Sequence, residues 1–108
     1  MFKTNKAEAF MKKDANQNDI QNLFEVLAKL KTPEEFAMFF DDLCTYKEIE
    51  QMAQRVKCAK LLLKGETYAQ IVEKTDVSSA TLCRISRCIQ HGSGGYNTLL
   101  AKMEEGEL

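Results

Sequence analysis

A chain of 108 residues with net charge −1 fits a single domain. A globule of that size buries only about two-thirds of its unfolded surface, so burial against a partner subunit would add stability. No apolar run approaches the roughly 20 residues of a membrane span, and the opening MFKTNKAEAFMKKDANQND lacks a signal-peptide core, so a cytoplasmic protein with no membrane partner is expected.

Residues 1–17 mix Lys, Asn, Gln and Asp with few apolar anchors and predict a mobile arm ahead of a single all-α domain over 18–108. Ile20, Leu23, Phe24, Leu27 and Leu30 recur at three- and four-residue steps, which predicts a first helix over about 19–31. Thr32, Pro33, Glu34 and Glu35 read as an N-cap, a first-turn proline and helix-start acids, and open a second helix over 33–43 through Phe36, Phe39 and Phe40. Thr45 and Glu48 form a capping box for a third helix that runs to Leu63 and ends at Gly65. Its apolar face, Ile49, Met52, Val56, Ala59 and Leu63, is widened by Cys58, Leu61 and Leu62, as at the centre of a fold or a subunit interface. No strand-like alternation interrupts the helical pattern.

Residues 67–90 carry the functional signal. Thr67 and Gln70 cap a short helix with Ala69, Ile71 and Val72 on its expected buried side. Thr75-Asp76-Val77 breaks it, Val77 fills the space between helices, and Ser78 caps a further helix with Leu82, Ile85 and Ile89 inward. Two short helices joined by a tight turn form the helix-turn-helix plan, whose second helix enters the major groove of duplex DNA. Ser78, Ser79, Ala80 and Thr81 are small enough for close approach, and Arg84 and Arg87, about one turn apart, can reach a guanine edge or a phosphate. Lys57 and Lys64 on the preceding helix are assigned to phosphates. Residues 55–91 hold seven basic and three acidic residues, net +4, between two acidic flanks, which favours a local polyanion-binding face over a general coat of charge. The expected function is that of a sequence-specific DNA-binding regulator, a repressor by preference. The alternatives left open are a helical protein adaptor and a thiol redox switch.

The four cysteines, Cys44, Cys58, Cys83 and Cys88, contain no C-x-x-C pair and have the single His91 for company, so no metal site is expected and the thiols are read as reduced and mostly buried. Cys83 and Cys88 are five residues apart on one helix and cannot easily bridge. Gly92-Ser93-Gly94-Gly95 reads as a hinge, since neither a strand before it nor a Lys-Ser/Thr after it supports a phosphate loop. No Ser/His/Asp set or carboxylate pair marks an enzyme.

From Thr45 to Leu100 the chain resembles the Trp repressor superfamily and its YerC/YecD-type branch. The resemblance rests on Arg55-Val56-Lys57, Leu62-Leu63-Lys64-Gly65-Glu66, Ser78-Ser79-Ala80-Thr81-Leu82-Cys83-Arg84 and Gly94-Gly95-Tyr96. It implies six helices, an intertwined homodimer and an effector pocket between the long helix and the recognition helix, flanked by arginines matched here by Arg55 and Arg84. No cofactor is expected, although such a pocket leaves room for a small-molecule corepressor. Ile85 and Cys88 stand where tryptophan-binding members carry small residues, so tryptophan is not the expected ligand, and the absence of any effector stays open.

Overall fold

The computed structural model describes residues 17–103, which form six helices and no strand. The expected arm lies outside the described residues except for Gln17, which opens α1, Gln17–Ala28. Helix α1 stops three residues short of the expected end because Lys29 N–H and Leu30 N–H donate to Val26 O and Leu27 O at 3.0 and 3.1 Å, i→i−3 bonds that tighten and close the last turn. Helix α2, Pro33–Leu43, starts where the sequence places it: Thr32 Oγ1 accepts from Glu35 N–H at 3.1 Å, and Glu35 Oε1 accepts from Lys31 N–H at 2.7 Å. Helix α3, Tyr46–Leu63, opens on the predicted capping box, with Glu48 N–H donating to Thr45 Oγ1 and Thr45 N–H to Glu48 Oε1.

Two compact units divide the chain within α3, at Ile49 and Glu50. In the first unit the aromatic rings of α2 touch one another, Phe36 to Phe40 with centroids 6.2 Å apart and Phe39 to Phe40 at 6.4 Å. Neither α1 nor α2 has a buried residue. Leu23, Phe24, Val26 and Phe36 are exposed, and Met38 and Tyr46 are 69% and 78% open.

The second unit holds the core. Cys58 and Ala59 of α3, Ile71, Leu82, Ile85 and Leu100 form one buried cluster, flanked by Leu61, Leu62, Leu63, Val77, Ile89 and Tyr96. The expected inner face of α3 is therefore only partly covered: Ala59 is buried and Leu63 half-buried, while Val56 is exposed. Gly65 ends α3 as predicted. At φ +93° it occupies the left-handed region, Gly65 N–H donates to Leu62 O and Glu66 N–H to Leu61 O, and these two carbonyls of the last turn are satisfied.

Helix α4, Tyr68–Lys74, carries the Thr67/Gln70 capping box in both directions, at 2.8 and 3.2 Å. Only Ile71 of its three expected inner residues is buried; Ala69 and Val72 are exposed. A helix of two turns presents little more than one position to the core, and Ile71 takes it. Lys74 Nζ lies 2.7 Å from Glu66 Oε1, a surface pair across α4 that contributes about 0–1 kcal/mol.

Helix α5, Ser79–His91, is amphipathic, with Leu82 and Ile85 fully buried. Its C-cap, Gly92, lies so close to the preceding turn that a Cβ there would meet Cys88 O at 2.3 Å. Asn97 Nδ2 donates to Ile89 O at 2.7 Å and satisfies another terminal carbonyl of α5. Helix α6, Gly95–Leu100, is a π-helical segment that anchors Leu100 in the core. The thiols are not mostly buried: Cys58 is, Cys44 is half-buried, and Cys83 and Cys88 are exposed. At about 100° per residue these last two miss the Leu82–Ile85–Ile89 stripe on either side. Among the described residues no helix is long and apolar enough to cross a membrane.

Candidate nucleic-acid interface

Helices α4 and α5 and the turn between them form the predicted helix-turn-helix. One hydroxyl organises the turn. Thr75 Oγ1 donates to Ile71 O at 2.8 Å, closing α4, and accepts from Val77 N–H at 3.4 Å. Val77 then packs on the core cluster, as its isolation between two polar segments predicts. Ser78 caps α5: its Oγ accepts from Thr81 N–H at 3.2 Å and donates to Thr81 Oγ1 at 3.1 Å.

With Leu82, Ile85 and Ile89 turned to the core, the helical period puts Ala80, Cys83, Arg84 and Arg87 on the opposite side, all exposed. Ser79 is exposed beside them at the first turn. Thr81 points elsewhere. It is half-buried, hydrogen-bonded to Ser78, and part of the wall between α5 and α3. The outward face thus unites Ser79, Ala80, Arg84 and Arg87 and separates them from Thr81, while Ser78 is committed to the cap. Cys83 was missed as a member of this face, because it was grouped with the other thiols as a packing residue. The i, i+3 and i+4 spacing from Ala80 through Cys83 to Arg87 would have found it.

Arg55 and Arg84 meet at a cavity of ≈ 340 Å³ whose other walls are Thr81, Ile85, Cys88 and Tyr96. Both guanidinium groups lack an ion-pair partner among the described residues. Tyr96 enters this wall from α6, a contribution that sequence spacing could not indicate because it depends on how α6 returns to α5. Arg84 therefore stands at the edge between outward face and cavity. Lys57 and Lys64 are exposed, Lys57 within α3 and Lys64 just after it. Lys57 shares a surface depression with Glu73, Lys74 and Asp76. Among the described residues no three His, Cys, Asp or Glu side chains gather as a metal site.

Residues 18–104 match the model of the Trp repressor protein family. This chain belongs to the Trp repressor family. It is 40% identical over 89 residues to the uncharacterized protein YerC of Bacillus subtilis, a match covering 82% of this chain and 86% of that protein. It is 35% identical over 81 residues to a Trp operon repressor homolog of Chlamydia caviae, covering 74% and 80%. Among solved structures, a candidate Trp repressor from Staphylococcus aureus superposes with a TM-score of 0.77 at 38% identity, over 81% of this chain and 87% of that one. A TrpR-like protein from Eubacterium eligens gives 0.77 at 36% identity, over 81% and 90%. Membership assigns the chain to a family of DNA-binding transcription regulators, not enzymes.

Proposed function

We propose that this Trp repressor family member is a cytoplasmic, sequence-specific DNA-binding repressor that acts as a homodimer and docks α5 in the major groove. The observation that carries the reading is the division of α5 into a fully buried side and an exposed side of small residues and arginines. Ser79 and Ala80 permit close approach, Arg87 reaches a base edge or phosphate from the centre of the outward face, and Arg84 does so from its border. Lys57 and Lys64 hold phosphates, which adds affinity without sequence preference. Ser78 supports the interface as the cap that fixes the start of α5, and Thr81 as the residue that completes that cap.

Homodimerisation is supported by the apolar and aromatic side chains that α1 and α2 leave exposed. The cavity between Arg55 and Arg84 is a place for a small-molecule effector other than tryptophan: branched Ile85 is part of its wall, and Cys88 gives it a thiol where a hydroxyl would hydrogen-bond. Binding to a selected operator and to a scrambled duplex across several salt concentrations tests the whole reading. A sequence preference together with a steep salt dependence is the expected result, and salt-independent or absent duplex binding overturns it.

A further inference from the structure

Helix α4 closes differently from α2 and α5. Those two finish on the backbone N–H of the cap residue, Cys44 to Phe40 O and Gly92 to Cys88 O, both at 2.8 Å. At Thr75, the cap of α4, the side chain takes that part: Oγ1 donates to Ile71 O at 2.8 Å, and among the described residues no backbone-to-backbone hydrogen bond outside the helices involves residues 75–77. The same oxygen accepts from Val77 N–H at 3.4 Å and, at 4.0 Å, from the thiol of Cys58, a fully buried residue of α3. With its proton given and both lone pairs taken, the hydroxyl is fully occupied. Its partners come from three elements and all belong to the core or pack on it: Ile71 is the buried residue of α4, Val77 the inward residue of the turn, and Cys58 a member of the buried cluster.

We propose that Thr75 is a positioning residue for sequence reading: its hydroxyl, tied to α3 through Cys58, fixes the angle at which α5 leaves α4. Ser78, three residues on, caps α5, and Ser79 opens its outward face, so an angular error at the turn is carried directly to the side chains placed at base edges. Phosphate contacts from Lys57 on α3 do not pass through the turn. Sequence preference therefore depends on this hydroxyl and general affinity does not. A hydroxyl that served stability alone would lower both together as the folded fraction fell. The consequence for DNA rests on the DNA-binding reading, whereas the angle is a property of the free protein.

The test compares the full chain with Thr75→Val, which keeps the branched shape and removes the hydroxyl, and with Thr75→Ser, which returns it. Residual dipolar couplings on the free proteins read the angle between α4 and α5. Titrations on a selected operator and a scrambled duplex, at a temperature where each chain is fully folded, read the preference. Thr75→Val should show a changed angle and a preference about tenfold lower, the worth of one displaced base contact, with its affinity for scrambled duplex unchanged. Thr75→Ser should match the parent in both. Should the valine variant fail to fold, amide exchange at Val77 in the parent decides: slowed exchange is expected, and exchange at the rate of an unstructured chain overturns the proposal. A parental angle in folded Thr75→Val, an equal loss on both duplexes, or a serine variant that does not restore the angle also overturns it. A parent chain without sequence preference overturns the DNA-binding reading instead, and the angle then decides this proposal.

Discussion

Ser78 carries two separable tasks, and three substitutions tell them apart. Its Oγ accepts from Thr81 N–H at 3.2 Å and donates to Thr81 Oγ1 at 3.1 Å, at the exposed start of α5. Ser78→Ala removes the cap and releases Thr81, at a cost of about 1 kcal/mol and up to about 2. In a protein of this size that lowers the melting temperature by on the order of 5 °C. Ser78→Gly should cost only a few tenths of a kcal/mol, since glycine is tolerated at this position. Ser78→Asp retains a side-chain acceptor for Thr81 N–H and adds a negative charge at the positive end of the helix, so stability should hold or rise by about 0.3–1 kcal/mol at low salt. Its duplex binding should nevertheless fall, because the new carboxylate faces phosphates, and the deficit should shrink as salt screens it. Thermal melting and duplex titration at two salt concentrations read both effects. A Ser78→Ala protein that melts like the parent would refute the cap argument. A Ser78→Asp protein with parental affinity at low salt would refute the placement of this end of α5 at DNA.

Arg87→Ala should cost about 1–3 kcal/mol on a selected operator and less on random duplex, whereas Lys57→Ala and Lys64→Ala should weaken both alike and each lower the salt slope by about one; titrations on the two duplexes at several salt concentrations check this. Because α1 and α2 expose their apolar side chains, the unfolding midpoint should rise with protein concentration, and a midpoint unchanged on dilution to nanomolar levels would count against the homodimer. Leu82→Ala, at a fully buried position, should cost about 2–5 kcal/mol in denaturant unfolding. Calorimetry with L-tryptophan should give no heat attributable to the cavity between Arg55 and Arg84, and micromolar binding abolished by Arg84→Ala would reverse that expectation.

What the sequence reveals of this fold is what neighbouring residues decide among themselves. The caps at Thr32, Thr45, Thr67 and Ser78 and the stop at Gly65 are interactions across three to five residues, and each lies where the local pattern predicts. The inner stripe of α5 is equally legible, because Leu82, Ile85 and Ile89 follow the helical period through a polar background. Ala69 and Val72 were misread because a small or apolar residue in a short helix does not by itself indicate the side that faces the core. The end of α1 was placed late because Leu30 continues the apolar period past the turn that closes the helix. Tyr96 in the cavity wall depends on contacts between distant segments, and no local spacing encodes it.

The close approach at the end of α5 bears on how this family member can vary. At Gly92 the obstacle is a backbone carbonyl, which no change of rotamer can move aside, so alanine is refused as firmly as leucine. Three residues later Gly95 has nothing within 4 Å of its missing side chain and is open to replacement. Substitution is therefore open at the start of α6, while the end of α5 stays locked by a single atom.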